Sequence, residues 1–347
     1  DWKHNDYDIV YSHLPEHTGQ LKNLLFNTTD ICPTIIGYTH WTEFKEITNY
    51  EYEVGLAFNI IGLLQMDKCG INTQAQKELV LKNAKEHFND DVIKQLDEIL
   101  EPHYLGWETP EYEQQTTDKN IIVYNHRPHT YKNYPWFLEQ MDKLYEERQD
   151  FEVWVPLADK KEKDYMTIDK YDRFGYFSKL SSCKVGVCCK QKYEGWAVSA
   201  TDGMSVGVPY MFSDDGSYHE LADEAGIYYK GSDDFLKLMN KALDDKEFRN
   251  EYSEKSLQRF KDSKWEKQIQ RINDTFNTAI SNFRPIKETE SYNKIVEFIR
   301  TKKSVTKNEI LLHMGWGVRI GFTTYRNRLR NEKDIKFTKN RYEVINK

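Results

Sequence analysis

KVGVCCKQKYEGWAVSATDGMSVGVPYMF, residues 184–212, decides the fold. Its apolar opening, KVGVCC, reads as a strand that is too short and too uniformly apolar to have a solvent face. A polar turn follows, then a short helical segment, then a second apolar run, VPYMF. Gly207 can end the helix in a left-handed conformation, and Pro209 prevents its continuation. A strand, a helix and a strand with no tight hairpin turn imply parallel strands joined by a crossover.

The same alternation extends in both directions. Upstream lie strand IIVYN (121–125), a helix over 136–147, strand FEVWVP and a helical stretch over 171–180; downstream come strand GIYY and helices from Asp233 onward. This is the pattern of a doubly wound α/β domain with a parallel sheet covered on both faces. Nearer the N-terminus, YDIVYS reads as a strand ending near His13, and TIIGYTH as a second strand bounded by Pro33 and ending at His40. Residues 72–100 have helical periodicity, and EPHYLGWETPEYEQQTTDKN reads as a polar linker.

After Pro285 the segment KETE introduces three short helical stretches and an extended tail, the layout of a winged helix-turn-helix. Thr306 is placed as an N-cap with Glu309 three positions on, and Gly315 and Gly317 break the next connection. Ile295, Phe298, Leu311, Leu312 and Leu329 are the expected small core. The expected domains are 1–110, 111–285 and 286–347. The opening has neither the strand nor the glycine-rich turn with which open α/β nucleotide-sugar enzymes usually begin, so the first lobe is expected to lack its beginning.

Composition narrows the class. A chain of 347 residues exceeds one ordinary core. No apolar run approaches the roughly 18 residues of a membrane span, and the N-terminus has no signal-peptide pattern, so a cytoplasmic protein without a membrane partner is expected. Five cysteines, an odd number, read as core residues in a reducing compartment. No Cys/His spacing suggests a metal site. The net charge of -7 is unevenly spread: residues 291–347 carry 14 Lys and Arg against 5 Asp and Glu, a balance of +9, leaving -16 elsewhere. A basic module on an acidic body suggests a polyanionic partner held by that module.

The chemistry gathers after KVGVCC. Glu194 follows the strand's carboxyl end, where ligands bind in such sheets. Gly195 lets the backbone approach a ligand, and Trp196 and Ala197 open a helix whose free amides attract phosphate. Asp202 lies eight positions beyond Glu194, about two helical turns, so the two carboxylates can reach different parts of one extended ligand. After strand IIVYN come Arg127 and Lys132, two cations able to stabilise charge on a departing diphosphate without a metal.

Glu194, Gly195, Asp202, Met204, Gly207 and Pro209 together resemble the donor-site signature of the group 1 retaining glycosyltransferases of GT-B architecture, and Arg127 and Lys132 match the family's cation pair. The resemblance implies two Rossmann-like lobes, Glu194 on donor-sugar hydroxyls and Asp202, where the family usually has Glu, on the ribose. It also implies His40, or secondarily His13, beside the reacting sugar, and Glu220 in DDGSYHEL as a polar contact to the nucleotide. No cofactor is expected beyond a nucleotide-sugar co-substrate, UDP-glucose being the leading candidate, and no metal.

The acceptor is read from the tail. In FTTYRNRLRNE, Arg326 and Arg330 lie one helical turn apart, with Arg328 and Tyr325 adjacent; Lys336, Lys339 and Arg341 occupy the wing. A sugar transferase joined to a nucleic-acid-binding tail resembles the bacteriophage glucosyltransferases of DNA carrying 5-hydroxymethylated pyrimidines, which would act in the infected host's cytoplasm. The alternatives are a cell-envelope glycan transferase, a sugar-nucleotide-sensing DNA-binding regulator, and a tail that binds protein instead.

Overall fold

The structure, a computed structural model, describes residues 9–28, 34–39, 55–191, 195–281, 290–314, 329, 332–338 and 341–345. The chain divides into two compact units, one of Asp1–Cys69, Phe88–Ile99 and Asp274–Lys347, the other of Gly70–His87 and Leu100–Asn273.

The first sheet is built from β1 (Ile9–Ser12), β2 (Thr34–Thr39), β3 (Lys68–Ile71) and β4 (Leu100–Pro102), in that order. Helices α1 (Pro15–Thr28), α2 (Gly55–Leu63), α3 (Gln74–Ala84) and α4 (Asp90–Ile99) connect them. Strand β1 runs parallel to β2, which is buried at every position and so shows no polar alternation. The helical pattern over 72–100 divides into two helices. Asn89 causes the break by accepting from the Val92 N–H at 3.1 Å, which starts a new helix.

The stretch read as a linker is packed. It begins with β4, and the His103 N–H donates to the Ile71 carbonyl at 2.7 Å. The Tyr104 ring stacks on Trp196 with centroids 5.7 Å apart. Aromatic residues scattered among charges supply this packing, and scattered aromatics leave no periodicity to read.

The second sheet has the order β10-β9-β8-β5-β6-β7, every neighbouring pair parallel. Its strands are β5 (Asn120–Val123), β6 (Phe151–Trp154), β7 (Met166–Thr167), β8 (Val185–Cys188), β9 (Tyr210–Ser213) and β10 (Gly226–Tyr229). Helices α5 (Tyr134–Glu147), α6 (Arg173–Leu180), α7 (Val198–Ser205) and α8 (Gly216–Ala222) lie between strands, and α9 (Gly231–Asp244), α10 (Lys246–Asp262) and α11 (Trp265–Ser281) follow. Alternate β5 residues enter opposite cores: Ile122 packs with Phe137 and Met141 of α5, Ile121 and Val123 with Phe177 and Met204. Strand order reverses between β5 and β8, which opens a crevice at their carboxyl ends.

Helix α7 ends as expected. Gly207 adopts φ 82°, its N–H bonds to the Met204 carbonyl at 3.1 Å, and the Val208 N–H bonds to the Gly203 carbonyl at 2.9 Å, the paired bonds of a Schellman cap. The Tyr210 ring occupies the space left by two glycines. A Cβ at Gly186 would meet it at 2.2 Å, and one at Gly203 at 2.1 Å.

The last segment comprises α12 (Glu290–Lys302), β11 (Ser304–Thr306), α13 (Lys307–His313), β12 (Ile335–Thr338) and β13 (Arg341–Val344), its strands antiparallel in the order β11-β13-β12. Thr306 and Glu309 form a reciprocal capping box. Ile295, Leu311 and Leu329 are buried in its core and Phe298 packs against it. Leu312 does not join them: it is 83% exposed. Ile310 and Leu311 face inward, and a rotation of about 100° per residue carries the next side chain out. Among the described residues no helix is long and apolar enough to cross a membrane.

Candidate active site

The β5 end of the crevice carries the two sequence-designated cations. After Asn125 and His126 the chain makes a loop, then a short 3-10 turn over Thr130–Lys132 capped by His129, and Asn133 at φ 55° turns it into α5. The Tyr124 hydroxyl donates to the Lys132 carbonyl at 2.9 Å, fixing this turn to the strand. Arg127 is exposed, and its guanidinium pairs with no carboxylate among the described residues. The Lys132 ammonium lies 5.4 Å from the centroid of the Tyr131 ring.

Across the crevice, α7 begins at Ala197 with no side-chain cap. The Val198 and Ala200 N–H groups bond to the Trp196 and Ala197 carbonyls at 3.1 and 3.0 Å, and the helix dipole favours an anion there. Trp196 and Ala197, read as donor-binding, bury their side chains, at 7% and 2% exposure, in the core beneath. Gly195 is a point of close approach, but to protein: a Cβ there would meet Gln76 Oε1 at 2.5 Å and Asn72 Nδ2 at 2.6 Å. Glu220 is also engaged by the protein itself. Its oxygens accept from the Gln74 N–H at 2.7 Å, the Ala75 N–H at 2.6 Å and the Tyr104 hydroxyl at 3.0 Å. It thus caps α3 beside Thr73, and in this arrangement its carboxylate is not available to a nucleotide.

Asp202 ends a directed chain of hydrogen bonds that the sequence reading missed. The Tyr210 hydroxyl donates to Asn125 Oδ1 at 3.0 Å, Asn125 Nδ2 donates to the Tyr176 hydroxyl oxygen at 2.8 Å, and Tyr176 donates to Asp202 Oδ2 at 3.0 Å. Burial raises the Asp202 carboxyl to about 7, against the opposing pull of the Tyr176 hydrogen bond and of Arg173. The native state therefore keeps a proton that the unfolded chain releases near pH 4, and this contribution to stability fades as pH rises through 7. Asp202→Asn should remove the slope. Urea midpoints from pH 4.5 to 7.5 are expected to fall more in the wild type than in this variant; parallel curves would contradict the assignment.

His126 was likewise not singled out from sequence. It is 3% exposed, with Nε2 3.0 Å from Cys188 Sγ and Nδ1 3.1 Å from Ser199 Oγ. Burial, reinforced by the nearby Lys132 charge, holds the imidazole neutral, with its pKa lowered to about 3.

Glu194 and His40 lie outside the described residues, as do Tyr325, Arg326, Arg328, Arg330 and Lys339. His13 is exposed and makes an edge contact with Tyr11. Lys336 is exposed on β12. Arg341 is turned inward to the sheet: Nε donates to Ser304 Oγ at 2.9 Å and a terminal nitrogen to the Ser304 carbonyl at 3.1 Å, so it ties β13 to β11 instead of presenting a free cation on the wing. Among the described residues no group of three His, Cys, Asp or Glu is placed to hold a metal ion.

No protein-family model matches the chain, and no curated protein matches its sequence. Solved structures do match. TarM of S. aureus superposes with a TM-score of 0.62 at 14% identity, covering 79% of this chain and 56% of its own. HepE of Anabaena in complex with UDP gives 0.60 at 10% identity, covering 79% of each chain. The fold is GT-B. Sucrose-phosphate synthase from Thermosynechococcus elongatus has the same architecture, at a TM-score of 0.59 and 13% identity over 79% of this chain and 74% of that one. The chain spans little more than half the length of TarM. At such identities the likeness is one of architecture: the GT-B frame is shared by chains with few side chains in common.

Proposed function

We propose that the chain is a retaining, metal-independent glycosyltransferase that takes its sugar from a UDP-sugar, with UDP-glucose as the leading donor. The observation that carries this reading is the pairing, across one switch-point crevice, of the uncapped α7 N-terminus with the β5–α5 connection, whose loop bears Arg127 and whose 3-10 turn bears Lys132. Dipole, amides and fixed cations there suit a diphosphate whose charge grows as the sugar leaves. Asp202 reaches the ribose and Glu194 the sugar hydroxyls, as the sequence signature implies. HepE and TarM, which share the architecture, have been solved with UDP bound.

The acceptor proposed is DNA bearing 5-hydroxymethylated pyrimidines. Supporting it are the +9 balance of residues 291–347 and the order of the described elements, helix, strand, helix and β-hairpin, from which the winged-helix reading is built. Lys336 lies on the hairpin, and the sequence reading assigns Arg326, Arg328 and Arg330 to a recognition helix. The second reading, a glycan acceptor, is favoured by TarM, whose structure was solved with α-GlcNAc-glycerol.

Transfer of radiolabelled glucose from UDP-glucose to hydroxymethylcytosine DNA tests both levels. Label on that DNA, absent from ordinary cytosine DNA and lost in Glu194→Ala, is the expected result. Release of UDP by hydrolysis without labelled DNA would remove the DNA acceptor and leave the transferase. Neither UDP release nor UDP binding would remove the transferase as well.

A further inference from the structure

We infer that the cavity at the carboxyl ends of β8, β9 and β10, lined by Asn133, Trp136, Lys190, Ser213, Asp214 and Lys230, is a binding site for a small polyhydroxylated carboxylate of the sugar-acid class. It lies on the sheet face covered by α5 and α9, and it stands apart from the donor reading above.

The cavity measures about 400 Å³, near the lower end of the range for small-molecule sites, about 300–1,000 Å³. One wall is rigid. Trp136 stacks on Tyr229 with ring planes 6° apart and meets Phe235 edge-on with centroids 5.2 Å apart, and the Tyr229 hydroxyl donates to the Cys188 carbonyl at 3.3 Å. Another wall carries a hydroxyl with nothing to bond. Ser213, at the end of β9, is only 5% exposed, and its Oγ has no hydrogen-bond partner. A buried hydroxyl left unpaired costs stability, and in the lining of a cavity it is a group whose missing bond a ligand can supply. Asn133 precedes α5 with no side-chain capping bond, and its amide has no partner among the described residues. Hydroxyl and amide each both donate and accept, which matches sugar hydroxyls, themselves donors and acceptors.

Charge narrows the ligand further. Lys190 and Lys230 bring two ammonium groups to the lining, and Asp214 brings one carboxylate. Lys230 is paired with Asp214 Oδ2 at 2.9 Å, and Asp214 Oδ1 lies 2.6 Å from His219 Nε2. The bond from Lys230, then that to His219, holds the Asp214 carboxyl below its ordinary range, so it is ionised in neutral solution. Lys190 is exposed and has no acidic partner among the described residues. The lining therefore has one positive charge that the protein does not balance. A carboxylate, a monoanion, balances it through a charge-assisted hydrogen bond, whereas a phosphate dianion would bring a second negative charge beside Asp214. The start of α9 is no alternative seat, because Asp234 already accepts the Lys230 N–H at 2.9 Å.

Three probes that share one ring isolate the charged group: glucose, glucuronate and glucose 6-phosphate. In ligand-observed NMR titrations of the full chain, glucuronate is expected to bind at least about tenfold more tightly than glucose, the worth of a hydrogen bond to a charged group. It should also bind more tightly than glucose 6-phosphate. Lys190→Ala should erase the advantage of glucuronate over glucose. Ser213→Ala should weaken glucuronate by about twofold to tenfold, the worth of a neutral hydrogen bond, while its urea midpoint stays level or rises, because the deleted hydroxyl bonds to nothing in the free protein. A fall in that midpoint with affinity unchanged would make Ser213 a structural residue and overturn its place in the site. Equal binding of glucose and glucuronate, or a glucuronate preference that survives Lys190→Ala, would overturn the carboxylate assignment. Tighter binding of glucose 6-phosphate would do the same in favour of a phosphate, and binding of none of the three would remove the site. UDP titration judges the donor reading separately: a wild type that binds no UDP leaves the glucuronate result standing.

Discussion

Lys132→Ala is expected to slow sugar transfer by about 10²–10³-fold, with a much smaller change in KM for the UDP-sugar. A diphosphate leaving group gains negative charge as the glycosidic bond breaks, so a fixed cation beside it stabilises the transition state more than the bound donor. Lys132 is suited to this because its turn is fastened to β5 by the Tyr124 hydroxyl and closed by left-handed Asn133 before α5 begins. The ammonium therefore starts from a rigid base. Arg127→Ala should act in the same sense, and Arg127→Lys should recover only part of the loss, because a point charge cannot reproduce the guanidinium's fork. Separate measurement of kcat and KM decides the matter. A rise in KM with kcat unchanged would mean that the cation serves ground-state binding alone.

The second large effect is structural. Gly203→Ala should destabilise the protein by about 1–3 kcal/mol through overpacking. The new methyl group would lie 2.1 Å from Tyr210 Cε2 and 2.6 Å from its hydroxyl, and the ring has little room to withdraw because it also fills the space at Gly186, where a Cβ would meet it at 2.2 Å. Any shift of the ring would also break the bond to Asn125, costing about 1 kcal/mol more. Tyr210→Phe separates the two contributions, since it keeps the ring and removes only the hydroxyl. Denaturant midpoints for the two variants are the measurement. A Gly203→Ala protein as stable as the wild type would show that the ring is not wedged.

The sheet and its switch point were legible because they rest on local signals: apolar runs of strand length, and a Gly and a Pro where α7 stops. Arg127 and Lys132 were read from their spacing after strand IIVYN, and both lie on the connection between β5 and α5. What escaped is non-local. Asn125, Tyr176 and Tyr210 are 51 and 34 residues apart in sequence and meet only because β5, α6 and β9 converge. His126 looked like one histidine among several, and nothing in NHRPHT marks which one is buried. Glu220 shows the opposite error. A carboxylate in a plausible motif was read toward a ligand, when backbone amides of α3 already satisfied it. Arg341 was counted as a wing cation from its charge alone, and Ser304, on the neighbouring strand, engages it. The short strands β3, β4 and β7 lacked enough residues to establish a period.

Glu220 has a practical meaning for anyone probing this crevice with simple anions. Two helix starts lie in the same compact unit: α3, whose positive end is already filled by a carboxylate belonging to the chain, and α7, which has no side-chain cap. Free phosphate, sulfate or pyrophosphate in a buffer should be drawn to the second and turned away from the first, so inhibition by such salts would report on one locus. An engineer who removed the built-in carboxylate, by Glu220→Ala, would create a decoy. The variant would gain an additional place for phosphate to lodge, and its salt sensitivity would no longer be a clean measure of donor competition.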